Sequence, residues 1–222
     1  MAVLPVAISL AQTLVEIDLG ANLFDVVPSV TSVEFDKSGA GFPGDTLLTG
    51  DIKFAVPTSV SLGASLLFPA GPRLLAGGEI GFLWTTADAK ASKIESSDYT
   101  LVIGSGDSQM QILRLGAVVR LLFPVTDPRL QPFIQGGLAY AALTLDVPHA
   151  PVIEDGLLDL SASGGASWRV ARTLSVGASA RLDYYLNVQE GRVEGVKDIG
   201  DVLRTRSRWS AVSLVIHLGF VR

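Results

Sequence analysis

Nine acidic, arginine or histidine residues lie in segments where every second residue is apolar, and all nine occupy the polar alternates. Charges of both signs on one face of a set of strands could form a relay for protons or ions. They could instead pair with one another and fill an enclosed interior. Arg181 and Asp183, two residues apart, could share one network, and Glu79 and Arg120 are candidate partners across that interior. The favoured interpretation is a paired, space-filling set: Glu16, Asp18, Glu79, Arg114, Arg120, Asp159, Arg181, Asp183 and His217.

Enzymatic and metal chemistry finds little support in the residue types. The chain has two histidines and no cysteine. His149 follows Pro148, near Asp146 and Glu154, and His217 lies in the last alternating segment. No Ser-His spacing marks a catalytic triad, and without cysteine neither disulfides nor thiolate metal sites are possible. We therefore predict no catalytic residue, no cofactor and no metal site.

The elements that must position these charges are eight alternating segments. Side chains of a β-strand alternate between its two faces, so strict alternation predicts strands with one apolar face. Leu67 and Leu83 are apolar exceptions on the polar face. Each segment is close to the roughly 9–11 residues that a tilted strand needs to cross a bilayer. The segments are Val15–Leu23, Ser59–Phe68, Ala76–Thr85, Leu113–Phe123, Phe133–Ala142, Leu158–Trp168, Leu174–Tyr185 and Ala211–Phe220.

A repeated phrase marks where strands reverse. Leu-Leu-Phe-Pro followed by Pro-Arg-Leu occurs at residues 66–74 and again at 121–130, with a looser copy at 168–174. Each copy ends one alternating segment and starts the next. The phrase predicts a strand end, a tight turn and a returning strand, and hence an up-and-down meander.

The composition separates a membrane barrel from most other classes. Of 222 residues, 48% are hydrophobic and 18% charged, against about 25% charged in a soluble domain. No run of about 18 apolar residues could form a transmembrane helix. The net charge of −5, without a basic stripe, argues against nucleic-acid binding. A membrane β-barrel or a soluble barrel with a large apolar core remains.

The two strand faces favour the membrane barrel. The polar face is mostly Gly and Ser and contains no lysine, because all five lysines fall between the segments (Lys37, Lys53, Lys90, Lys93 and Lys197). The apolar face is aliphatic with aromatic residues toward both ends, as in membrane barrels. One predicted girdle is Phe68, Phe123, Trp168 and Phe220, and the other is Trp84, Tyr140 and Tyr184.

The links alternate strictly between short and long. This is typical of outer-membrane barrels with periplasmic turns and extracellular loops. The prediction is an all-β, closed, antiparallel, up-and-down, eight-stranded transmembrane β-barrel over residues 13–222. Residues 1–12 are apolar and end in small residues, so they could be a truncated signal-peptide remnant or a periplasmic N-terminal segment.

The chain resembles the small eight-stranded outer-membrane barrels of the OmpA, OmpX and OmpW type. Residues 132–140 look like that family's Pro-aromatic-x-x-Gly-x-Gly-Tyr strand, with Ala139 in place of a glycine. Residues 179–184 are similar to its penultimate strand, with Arg181 as the inward arginine. Val212–Phe220 looks like the C-terminal signal read by the barrel-assembly machinery, although Val221 and Arg222 follow the aromatic residue. The resemblance implies the bacterial outer membrane and does not include a periplasmic domain.

The long links are the better place for function. The first three are acidic, whereas Arg204, Arg206 and Arg208 in the fourth could contact lipopolysaccharide phosphates; ordinary solvated loop charge is the alternative. Residues 99–104 are β-prone and could extend the barrel as a hairpin. The function expected is a monomeric, non-enzymatic barrel in outer-membrane lipid, acting in envelope integrity, surface interaction or minor solute passage. The alternatives are a lipid-modifying membrane enzyme and a soluble ligand-binding barrel.

Overall fold

The computed structural model describes residues 13–23, 29–36, 47–55, 58–89, 92–95, 100–103, 106–146, 153–189 and 202–222. Residues 1–12, for which a signal-peptide remnant is predicted, lie outside this part. The described part holds no helix with the length and apolarity needed to span a membrane. Its twelve strands are β1 Leu14–Leu23, β2 Ser29–Asp36, β3 Leu47–Ala55, β4 Ser59–Gly71, β5 Leu74–Ala89, β6 Ser92–Glu95, β7 Thr100–Ile103, β8 Gly106–Leu122, β9 Leu130–Asp146, β10 Ile153–Arg169, β11 Leu174–Gln189 and β12 Val202–Val221.

Eight of these strands close into a barrel. They run antiparallel in the order β1-β4-β5-β8-β9-β10-β11-β12, and β1 also pairs with β12 from Leu14↔Val221 to Leu23↔Val212. Closure gives every strand two neighbours, so no sheet edge faces hydrocarbon. The predicted eight-stranded up-and-down barrel is confirmed.

The predicted turns are also confirmed, and they share a backbone contact. Pro72 and Arg73 form the turn between β4 and β5. In each copy of the repeated phrase, the residue before the returning leucine accepts a hydrogen bond from the next strand end. These bonds are Leu122 N to Arg73 O at 2.8 Å, Arg169 N to Arg129 O at 2.8 Å, and Val221 N to Thr173 O at 3.0 Å. The phrase therefore links the first turn to the second, the second to the third, and the third to the end of β12.

The long links hold more structure than predicted. Strands β2 and β3 form a hairpin within the first link, and β2 pairs with β12 from Val202↔Asp36 to Arg208↔Val30. Thr100–Ile103 pairs with Ser92–Glu95, as the hairpin prediction for this region requires. Placing Arg204, Arg206 and Arg208 in a loop was wrong, because all three lie in β12. Pairing with β2 provides hydrogen-bond partners for the backbone of residues 202–208 and so extends the strand.

The outer surface is an apolar belt between two aromatic girdles. All seven predicted girdle residues are exposed and outward, from 39% for Tyr184 to 58% for Trp84. The barrel register places Phe68, Phe123, Trp168 and Phe220 near the short turns, and Trp84, Tyr140 and Tyr184 toward the other end. This arrangement matches a membrane-spanning barrel and excludes the soluble barrel with an apolar interior and a polar exterior.

At the level of the second girdle, where Trp84 is paired with Gln111, the apolar residues change from the outer face to the inner face. On β8, Leu113 and Leu115 are outward, whereas one step higher Ile112 and Met110 are buried inside and Gln111 and Gln109 are outward.

Strand β9 changes in the same way, with Leu143 and Leu145 inside and Thr144 and Asp146 on the outer side. A 17-residue strand is about 55 Å long and rises about 40 Å when tilted, whereas the apolar band is about 25 Å tall. The inversion therefore marks where the wall leaves the membrane and becomes an ordinary barrel in water.

This boundary can be tested with two outward positions on β8. Ala117→Arg should lower the free energy of unfolding in lipid vesicles by about 2–4 kcal/mol, since position 117 is outward and midway along β8 between Phe123 and Gln111, near the bilayer midplane. Gln111→Arg, the matched control level with Trp84 of the second girdle, should change it by about 1 kcal/mol or less. Urea unfolding followed by gel mobility would measure both. Equal losses would contradict the placement of position 117 in the membrane and of position 111 at its boundary.

Candidate functional site

The structure places all nine predicted charged residues in the lumen. Glu16, Glu79, Arg120, Asp159, Arg181, Asp183 and His217 are buried, and Asp18 and Arg114 are partly buried. They form two groups, one nearer the short turns and one nearer the middle of the barrel. Because an eight-stranded barrel is just wide enough for side chains to fill it, these residues reach one another from opposite walls.

The first group centres on Arg120. Its Nη1 donates to Glu16 Oε1 at 2.8 Å, a second bond joins Nη2 to Glu16 Oε2, and its Nε donates to Gln135 at 2.8 Å. The guanidinium lies 4.2 Å from the centroid of the Phe133 ring. The proposed Glu79–Arg120 pair was wrong. Sequence patterns fix the face of each residue but not the register or the height at which strands from opposite walls meet.

The second group centres on Arg181. Its two terminal nitrogens donate to Glu79 at 2.7 and 2.8 Å, and its Nε donates to Asp183 at 2.6 Å. Arg181 and Asp183 thus share a network, as their spacing suggested. Arg114 reaches Asp183 at 3.3 Å.

The position of Gly81 is tied to Arg114. It lies directly opposite Arg114 in the β5–β8 register, and a Cβ at position 81 would collide with the Arg114 side chain. Glycine at this inward position therefore makes room for the guanidinium.

Asp159 is the least compensated member of this group. Its side chain is fully buried, and its nearest cations are Arg181 Nη2 at 3.6 Å and Arg114 Nη1 at 4.0 Å. Among the described residues, neither carboxyl oxygen of Asp159 has a hydrogen-bond partner. The nine residues include five carboxyl groups and three arginines, so the lumen carries more potential negative than positive charge.

His217, on β12, joins the two strands beside it, β1 and β11. Its Nδ1 lies 2.6 Å from Asp18 Oδ1 and its Nε2 lies 2.7 Å from Ser179 Oγ. With the proton on Nδ1, the imidazole donates to Asp18 and accepts from Ser179, which is the contact order of a serine-hydrolase triad. The sequence did not reveal this arrangement, because these residues come from β1, β11 and β12. A cavity of about 20 Å³ adjoins them, which suffices for a water molecule and not for a substrate.

One set of donors within the described residues has metal-ligand chemistry. Glu16, Asp18 and His217 offer atoms that all lie within 4.8 Å of one another. The Glu16 carboxylate, however, is held by both terminal nitrogens of Arg120, and both ring nitrogens of His217 have protein partners. A metal ion would have to displace these contacts, and protein partners already satisfy the donors.

An apolar layer above the charges was missed by the sequence reasoning. It is built from inward residues that are at most 6% exposed: Leu83, Met110, Ile112, Leu143, Leu145, Leu157 and Trp209. The apparent exception at Leu83 belongs to it. The sequence signal for this layer was two pairs of consecutive apolar residues, Ile112-Leu113 and Leu157-Leu158. At each pair the apolar residues change from one face of the strand to the other. The lumen is therefore closed twice, by paired charges and by packed hydrocarbon.

Two positions considered in the sequence analysis are wholly or partly outside what the structure describes. His149 lies outside the described residues. Arg204, Arg206 and Arg208 are described only through their backbone in β12. A role for their side chains stays a prediction.

Comparison with solved structures finds outer-membrane barrels. The outer membrane protein OprG from Pseudomonas aeruginosa aligns with a TM-score of 0.60 at 11% identity, covering 96% of both chains. The outer membrane protease OmpT from Escherichia coli aligns with a TM-score of 0.54 at 7% identity, covering 96% of this chain and 98% of that chain. No protein-family model and no curated protein matches the chain. Identities this low establish the fold alone.

The fold and the surface together define a class. A closed eight-stranded barrel with an outward aliphatic belt, two aromatic girdles and inward charges is a bacterial outer-membrane β-barrel protein. The resemblance to the small outer-membrane barrels is confirmed at the level of the fold.

The Glu16–Arg120 pair offers a test of the lumen geometry. Arg120→Met should lower the free energy of unfolding by about 3–5 kcal/mol, because it leaves the Glu16 carboxylate buried without its partner. Adding Glu16→Leu should recover most of that loss, since the pair is then replaced by apolar side chains. Urea titration of the refolded barrel would measure both. A double variant no more stable than the single one would contradict the pairing.

Proposed function

We propose that this chain is a non-enzymatic outer-membrane barrel whose lumen is a closed structural core. The observation that carries the proposal is the double closure. The Glu79–Arg181–Asp183 network fills the middle of the lumen, and an apolar layer covers it at the loop end. Function then falls to the outer surface and the long links, acting in envelope integrity or surface interaction. Solute passage would be minor.

Planar-bilayer recording tests the closed lumen. The unsubstituted barrel should give no large, steady conductance. Glu79→Ser with Arg181→Ser should remain closed, because the apolar layer still blocks the path in series. Bilayers without protein, and with a known open porin, provide the matched controls. A steady pore in the unsubstituted protein would refute the proposal.

Several partners are proposed with this role. Arg204, Arg206 and Arg208 would contact lipopolysaccharide phosphates, because arginine pairs with phosphate through two parallel hydrogen bonds. The C-terminal strand, Val212–Phe220, would be read by the barrel-assembly machinery. The barrel would act as a monomer, since β1–β12 pairing leaves no barrel edge for a second copy. Residues 1–12 would be a signal-peptide remnant or a periplasmic segment.

A second candidate, a serine hydrolase, is favoured by the Ser179–His217–Asp18 contacts. A nucleophile must also meet its substrate, and Ser179 is 7% exposed beside a cavity of about 20 Å³. The arrangement is better explained as hydrogen bonding between neighbouring strands inside a filled lumen.

A fluorophosphonate probe separates these two readings. The folded barrel should remain unlabelled, and Ser179→Ala should not change the lipid A mass spectrum of cells that express it. His149→Ala, which alters the only other histidine, should also leave that spectrum unchanged. Labelling that disappears in Ser179→Ala and in His217→Ala would establish the enzyme instead.

A further inference from the structure

The charged residues at the short-turn rim are nearly all positive. Among the described residues there, Arg73, Arg129, Arg172 and Arg222 are exposed, and Arg169 is half-buried at the mouth of the lumen. The one acid is Asp127, whose Oδ1 already accepts a hydrogen bond from Arg129 N at 2.8 Å. The net charge of the whole chain is −5, so the sign of the charge at this rim is opposite to that of the chain.

Backbone hydrogen bonds connect the segments that carry these arginines. Arg73 O bonds to the end of β8, Arg129 O bonds to the end of β10, and Thr173 O bonds to Val221 beside Arg222. Neighbouring turns are thereby joined in sequence around the barrel. The positive charges form a rim instead of isolated loop residues.

The rim also lies at a defined depth. Each aromatic residue of the turn-side girdle precedes a rim arginine by a few residues: Phe68 before Arg73, Phe123 before Arg129, Trp168 before Arg172, and Phe220 before Arg222. Girdle aromatics sit at the headgroup level of a membrane. At this depth the guanidinium groups would be within reach of lipid phosphates, which arginine binds through two parallel hydrogen bonds. The five lysines of the chain all lie elsewhere.

We infer that this turn rim is a binding surface for anionic phospholipid headgroups of the leaflet it faces. Phosphatidylglycerol-type lipids are complementary to this surface, because each carries a phosphate and a net negative charge. The surface would fix the depth of the barrel and enrich anionic lipid around it.

Tryptophan fluorescence tests the inference directly. The chain has three tryptophans, and Trp209 is buried in the lumen. In a Trp84→Phe background, Trp168 is therefore the reporter that contacts lipid at the rim. The barrel would be reconstituted in dioleoyl-phosphatidylcholine vesicles containing phosphatidylglycerol with brominated acyl chains, and compared with brominated phosphatidylcholine. Quenching should show a preference for phosphatidylglycerol that falls by about fivefold per arginine removed at low salt.

The variants are chosen so that side chains change while the turns do not. Arg73→Gln, Arg129→Gln and Arg172→Gln together should remove most of the preference and leave only the part that Arg222 contributes. The turns should stay intact, because the inter-turn bonds use only backbone atoms. The corresponding triple lysine variant keeps the charge and should retain most of it. A lysine variant that loses as much as the glutamine variant would point to altered turns and overturn the inference.

Two further arms complete the design. In a Trp168→Phe background Trp84 reports the opposite girdle, and the triple glutamine variant should leave its quenching unchanged. Inorganic phosphate should compete no better than chloride at equal ionic strength. Stronger competition by phosphate would indicate a site for the soluble ion instead. Equal quenching of Trp168 by the two lipids in the unsubstituted rim would overturn the inference outright.

Discussion

Backbone hydrogen bonding in hydrocarbon is the constraint on which this structure depends. An unpaired N–H or C=O within the bilayer costs several kcal/mol, so each strand needs a partner on both sides. The β1–β12 pairing, ten residue pairs long, meets this requirement for the two strands that would otherwise be edges. The repeated turn phrase extends it to the rim, where Arg73, Arg129 and Thr173 carbonyls accept bonds from neighbouring strand ends. The properties of the lumen are therefore consequences of barrel closure.

Closing a barrel of only eight strands leaves an interior that side chains must fill. Residues on opposite walls then lie within hydrogen-bond reach, as Glu79 and Arg181 do although 102 positions separate them in sequence. Burying each charge is costly unless it is paired, and most carboxyl groups here are held by an arginine or by His217. Asp159 departs from this pattern, with cations no nearer than 3.6 Å. The networks therefore specify which walls face each other as much as they add stability.

Much of the fold was readable from the sequence because side-chain alternation is a local property. The eight segments, the faces of all nine charged residues and the two girdles follow from the two-residue period of side-chain direction in a strand. Partners were not readable: Arg120 binds Glu16 and not Glu79, since strand register and barrel shear are set by the whole closed sheet. The Ser179–His217–Asp18 contacts were missed for the same reason. The strand assignment of residues 202–208 depended on a partner, β2, that only the three-dimensional arrangement supplies.

The inversion on β8 and β9 shows how one strand serves two solvents. Within the belt, the outward residues Leu113 and Leu115 meet lipid, while the inward Arg114 meets charged partners. Above it, Gln109 and Gln111 meet water, while Met110 and Ile112 pack inside. The hydrogen-bonded ladder continues without a break through this change, because the backbone pairing is indifferent to which face is apolar. The membrane boundary is therefore encoded in side chains alone, at the two adjacent apolar residues Ile112 and Leu113, where both faces are apolar for one step.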